Sequence, residues 1–184
     1  MATATKLITA EEFMAMDLGE GRYELVRGVV VDVALPSPDN RTSRFRSGFL
    51  LEKFRRRTGL GDVVNHVSSI VTNRGPDTVR GAVAAFYSQA RCSRDKLGPG
   101  LTPVPPDLVV EVFWPEDKAH DTRRKINEYL DAGVRLVWVL HLTRRQLLMF
   151  REDALLPMVY ELNDIVENLP ELPGFRCVVS EFFA

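Results

Sequence analysis

The chain has few of the residues that build metal clusters and disulfide frameworks. In 184 residues there are two cysteines, Cys92 and Cys177, and three histidines, His66, His120 and His141. The cysteines are far apart and match no zinc spacing, so free thiols in a reducing compartment are expected. The histidines show no paired spacing, and each reads as a surface or packing residue. Long apolar runs are missing too. The longest, in "VRLVWVLHL", is strand-sized, against the roughly 20 residues a membrane helix needs. The opening "MATATKLITAEEF" has no h-region of a secretory signal, which points to a cytoplasmic protein. There is no internal repeat and no inter-domain linker, so residues 1–184 read as a single domain.

Charge of one sign is also missing overall. The net value is −1, which by itself argues for no polyanionic partner. The distribution is uneven, however. Residues 22–96 carry 14 Lys/Arg against 7 Asp/Glu, a surplus of +7, whereas 97–184 carry 9 against 14, giving −5. The basic residues cluster in "RTSRFR" and "KFRRR", with Arg44, Arg46, Arg55 and Arg57 as candidate phosphate contacts. A solvated helix face explains the same cluster.

What is present is an alternation of helical and β-type segments. "TAEE" has capping-box form and opens a short helix from Thr9 through Met16. "YELVRGVVVDVAL" reads as a hairpin, Tyr23–Val26 and Val29–Leu35, turning at Arg27-Gly28. "PSPDN" breaks the chain ahead of a helix from about Arg41 to Thr58. Its apolar positions are Phe45, Phe49, Leu50, Leu51 and Phe54, and Gly59 stops it. Two β-type segments follow around "VVNHVSSIV" and "GAVAAFYS". The polar loop 89–106 leads into the strand "PPDLVVEV". After the loop "PEDKAHD", Asp121 caps a helix over Thr122–Ala132 that Gly133 ends. "VRLVWVLH", "QLLMFRE" and "MVYEL" are strands, and "LPGFRCVVSEFF" closes the fold. The order predicts a mixed α/β (α+β) domain.

"PPDLVVEV" carries two carboxylates in an apolar strand, where a carboxylate is costly without compensation. Asp107 and Glu111 share a face but lie roughly 13 Å apart at ~3.3 Å per residue. Mg²⁺ takes oxygens at about 2.0–2.1 Å, so the two cannot bind one ion directly. A metal ligand at Glu111 therefore needs a partner carboxylate from another strand, and Asp107 reads as a strand-entry or weak supporting ligand. Lys125 flanks the buried stripe of the following helix and can reach back to the end of the Glu111 strand. A carboxylate, a metal and a lysine make a minimal kit for phosphodiester hydrolysis. A buried Glu111–Lys125 ion pair fits the same spacing, as does an Arg124–Glu128 surface pair with Lys125 solvated.

The series "YELVRGVVV", "RGAVAAFYS", "PPDLVVEV", "KINEYLDAGVRLVWVL" and "LPGFRCVVSEFF" resembles the Uma-type family of restriction endonucleases, bacterial proteins of the PD-(D/E)xK nuclease superfamily. The resemblance runs from about Thr9 to the end. It implies a restriction-endonuclease-like core, a mixed sheet flanked by helices with a metal site at strand ends. It also implies a Mg²⁺- or Mn²⁺-dependent endonuclease acting on DNA. By that resemblance Glu111 is the metal-binding acid of the third core strand, and Glu24 in "YELV" is an acid that binds metal or water. Phe113 stands where the superfamily lysine is usual, and the lysine function moves to Lys125. One departure bears on activity: relatives read "RGPDVAFYS" where this chain reads "RGAVAAFYS", so the signature Pro-Asp is Ala82-Val83. "FWPED" also stands where "LSPSD" is usual, and "NRTSRFRSG" lacks a histidine that relatives often carry. Asp77 and Asp107 are nearby acids, but neither aligns with the lost one. Two functions follow: a divalent-metal DNA endonuclease with a compensating acid, or a degenerate homologue that binds nucleic acid or a partner without cutting. A third is a metal-free homodimerisation domain using the edge of the C-terminal hairpin.

Overall fold

The computed structural model describes residues 6–33, 38–98, 100–102, 104–113 and 119–183, with the backbone alone at 38, 39, 66–68 and 119. The first two residues of "PSPDN", most of "PEDKAHD", residues 34 and 35 of the expected hairpin and the side chain of His66 lie outside these.

Local sequence accounts for the entry into the fold. Thr9 caps α1 (Ala10–Ala15): the Glu12 N–H donates to Thr9 Oγ1 at 3.1 Å and the Thr9 N–H donates to Glu12 Oε2 at 2.9 Å. This closes the capping box. β1 (Tyr23–Val26) and β2 (Val29–Asp32) pair in the register Tyr23↔Asp32 to Val26↔Val29. Arg27 and Gly28 between them have φ of 51° and 78°. Two successive left-handed residues match the right-handed twist of the flanking strands in a tight hairpin. α2 (Pro38–Thr58) starts earlier than predicted and ends at Gly59, whose φ is 65°.

β3 (Gly61–Asn73) and β4 (Thr78–Ser88) form a long antiparallel pair, from Gly61↔Ser88 to Asn73↔Thr78. β5 (Leu108–Phe113) is antiparallel to β4 and parallel to β6 (Leu136–His141), with α3 (Ala119–Asp131) between them. β7 (Gln146–Phe150) and β8 (Met158–Tyr160) extend the sheet antiparallel. The strand path is β2-β1-β4-β5-β6-β7-β8, with β3 also on β4. β9 (Ile165–Leu169) and β10 (Leu172–Val178) form a separate hairpin.

The central strands are buried on both sides, which explains their unbroken apolar runs. Leu108, Val110, Leu136, Trp138 and Leu140 pack with Leu50, Leu51 and Phe54 of α2, together with Phe175 and Phe182. Their neighbours Val109, Val137 and Val139 pack on the other side with Ile126 and Tyr129 of α3. The alternation is the period-two signature of strands. A smaller cluster joins Ala10 and Phe13 of α1 to Leu25 and Val79. Phe45 and Phe49 differ from the rest of α2: they point outward, 70% and 52% exposed.

The pairing of β4 positions the site. β3 runs along one whole edge of β4, so β1 and β5 share the other. β1 meets it at Leu25↔Val79, and β5 at Ala84↔Val110 through Phe86↔Leu108. The stretch from Arg80 to Val83 lies in the fork between them.

Candidate active site at the strand fork

Three strands and one helix bring Glu24, Glu111 and Lys125 together in this fork. Lys125 Nζ lies 2.8 Å from Glu24 Oε1 and 2.9 Å from Glu111 Oε1. Glu24 leaves β1 beside the fork, Glu111 stands near the end of β5, and α3 delivers Lys125 from above the same face. Backbone groups of β4 complete the arrangement. The Gly81 N–H donates to Glu24 Oε1 at 3.0 Å, and the Tyr129 hydroxyl lies 2.8 Å from the Gly81 carbonyl oxygen. Side chains thus satisfy the fork-facing edge of a strand segment that neither β1 nor β5 covers, as buried backbone requires.

Each acid has a different environment. Glu24 accepts from Arg80 Nη1 at 2.8 Å as well as from Lys125 and Gly81. Burial would push its carboxyl up, but the Lys125 and Arg80 charges outweigh that and hold it below the usual range. Arg80 in turn chelates Glu128, with Nε and Nη2 at 2.6 and 3.0 Å. Burial would lower the Arg80 guanidinium, and its bonds to Glu128 and Glu24 raise it instead. Glu111 Oε1 is contacted by Lys125 and, at 2.8 Å, by the Tyr129 hydroxyl. Burial, then the Glu111 charge, push the Tyr129 phenol well up. The Lys125 ammonium, which burial would depress, is raised by Glu111 and Glu24. Only 19% of its side chain is exposed, so it serves as a counter-ion to both acids at once.

The remaining predicted residues separate. Asp107 is not brought to the fork. It is 1% exposed at the opposite end of β5, where it accepts from the Ser88 N–H at 2.7 Å and pairs with Arg135 Nη1 at 3.1 Å. The strand spacing that parts it from Glu111 makes it a structural tie. Of the four predicted arginines, Arg44 is buried, and its guanidinium feels the charges of Arg22 and Glu111. Burial, then Arg22, lower it, and Glu111 partly restores it. Arg55 is locked on Glu52 by two bonds at 2.6 and 2.7 Å, and Arg57 donates to the Gly174 carbonyl. Arg46 is half-buried on α2. Both cysteines are buried and free, as expected.

Sequence reasoning passed over Arg80 and Tyr129. Tyr129 stands one helical turn after Lys125 and so shares its face, and Arg80 begins the "RGAVAAFYS" block; these spacings are the signals that could have found them. A cleft of about 360 Å³ adjoins the fork, lined by Met14, Met16, Arg22, Tyr23, Glu24 and Gly81 among others.

The acids suit a divalent ion poorly. Among the described residues no cluster of three or more His, Cys, Asp or Glu could hold one. The β4–β5 pairing ends at Ala84↔Val110, one residue short of Val83 and Glu111. Val83 is 2% exposed and packed in the apolar cluster of α2, so this end of β4 brings no carboxylate at position 83. Glu24 and Glu111 already share one ammonium.

Comparison with known proteins agrees with this architecture. A crystal structure of a putative nuclease belonging to DUF820 from Anabaena variabilis superposes with a TM-score of 0.79 at 14% identity. The match covers 96% of this chain and 97% of that one, and shows a shared fold. Among curated proteins none matches. Residues 10–180 match the family described as Uma2, putative restriction endonuclease. The chain belongs to the Uma2 family of the restriction-endonuclease-like fold.

Proposed function

We propose that this chain is a nucleic-acid-binding member of its nuclease family in which divalent-metal hydrolysis has been lost. Val83 carries the proposal: a buried apolar side chain stands at the position where the family resemblance implies an aspartate. An ion held there would lack a carboxylate, and removing a ligand from a catalytic metal weakens every role the metal plays. The cationic groups remain. Arg44 and Arg22 add positive charge beside the Glu24–Lys125–Glu111 cluster, suited to a phosphodiester backbone. DNA is the partner that the family implies.

A second reading, a Mg²⁺- or Mn²⁺-dependent DNA endonuclease, is supported by one observation. Glu24 and Glu111 flank a single cation position at 2.8 and 2.9 Å from Lys125 Nζ. Mg²⁺ is often held by one or two carboxylates together with substrate phosphates. Cleavage assays on plasmid and single-stranded DNA with either metal separate the readings. Binding without cutting, with cutting restored by Val83→Asp, supports the first. Cutting by the natural chain that Glu111→Ala abolishes supports the second. Cutting that survives Glu111→Ala removes the fork from both.

A further inference from the structure

We infer that the outward face of α2 is a stacking platform for unpaired bases, so that the nucleic acid this protein prefers is single-stranded. The inference rests on the proposed nucleic-acid function and adds the class of strand. Phe45 and Phe49 stand one helical turn apart, 70% and 52% exposed, with ring centroids 6.3 Å apart and planes inclined by 18°. The rings stack on each other, within the usual range for aromatic pairs, and leave their remaining surface to solvent. A helix that needed only to cover the sheet would place polar residues here, since Leu50, Leu51 and Phe54 already do the packing.

The charge around the rings indicates what covers them. Residues 41–58 carry seven Lys/Arg and one acid, 7 − 1 = +6. That acid, Glu52, is taken up by Arg55 and Arg56. Arg46 and Lys53 flank the rings with no carboxylate within ion-pair distance among the described residues. A second copy of the chain is a poor occupant: a two-fold interface centred on the rings would set this cationic face against itself. A duplex is also a poor occupant, because its base faces are stacked inside. A single strand offers both complements, phosphates for the cations and base faces for the rings.

The test is fluorescence anisotropy with labelled oligothymidylate, the same strand carrying abasic sites, and a duplex of equal length. The variants are F45A/F49A and R46A/K53A, all at solvent-reaching positions. We expect oligothymidylate to bind more tightly than duplex or abasic strand. F45A/F49A should weaken oligothymidylate at least about tenfold, as loss of base–aromatic stacking does, and leave duplex unchanged. R46A/K53A should weaken every probe. Equal binding of all probes, or F45A/F49A matching the natural chain, overturns the platform while sensitivity to R46A/K53A leaves the functional proposal standing. A natural chain that binds none of the probes overturns the functional proposal itself. Dimers in sedimentation that F45A/F49A abolishes identify a second copy as the occupant and overturn the platform.

Discussion

Lys125 Nζ and Glu111 Oε1 meet at 2.9 Å although they belong to a helix and a strand joined by a loop. The same ammonium reaches Glu24 on a third element at 2.8 Å. The contact requires α3 to pack on the sheet face that carries Glu111, which Ile126 and Tyr129 enforce by burying themselves against Val109, Val137 and Val139.

Replacing Lys125 with methionine leaves two carboxylates facing each other across the fork. Breaking a buried pair on one side costs about 3–5 kcal/mol. The Lys125 side chain is 19% exposed, so the expected loss is smaller, about 2–3 kcal/mol in urea unfolding at neutral pH. A Lys125→Met protein as stable as the natural one contradicts the counter-ion role.

The fork also sets a pH window for stability. The Glu24 carboxyl is held below its ordinary 4.5, so its contribution is present above 4.5 and lost as pH falls through the lower folded value. Lys125 is raised above 10.5, so its contribution is present below 10.5 and lost as pH rises through the higher folded value. Thermal melts across this range should show both limbs. Glu24→Gln should remove the Glu24 part of the acid limb; a variant that declines in acid just as the natural chain does is evidence against it.

Val83→Asp inserts a carboxylate into an apolar cluster and should destabilise the metal-free protein by about 2–4 kcal/mol. If position 83 completes a metal site, Mn²⁺ at 100 times its dissociation constant returns about 2.7 kcal/mol, visible as a rise in Tm. The natural chain should show little rise. A Tm indifferent to metal in Val83→Asp removes position 83 from the metal argument.

The arginines of α2 should be unequal. Arg44→Ala and Arg46→Ala should each weaken binding and reduce the salt slope by about one, as loss of one phosphate contact does. Arg55→Ala should leave affinity nearly unchanged, because Glu52 holds that side chain and is itself held down to about 2 by Arg55 and Arg56. Equal losses at all three would show that the Glu52 bonds open on binding.

Much of the architecture was legible because its causes are local. Capping at Thr9, the turn at Arg27-Gly28 and the stops at Gly59 and Gly133 follow from backbone preferences that neighbouring residues impose. Strand spacing alone kept Asp107 from Glu111, and the structure places Asp107 at the far end with Ser88 and Arg135. Helix faces were less legible. Phe45 and Phe49 share the apolar character of Leu50 and Phe54, yet they face solvent, because hydrophobicity does not say which side of a helix meets the sheet.

By itself the sequence determined most of the elements and the family, since these depend on residue identity and short-range geometry. Tertiary structure decided the fork. β1 and β5 share one edge of β4 and leave Gly81 to be satisfied by Glu24 and Tyr129. Arg80 and Tyr129 entered the site only because the unpaired backbone and the buried acids needed partners, and such needs arise only when distant segments pack.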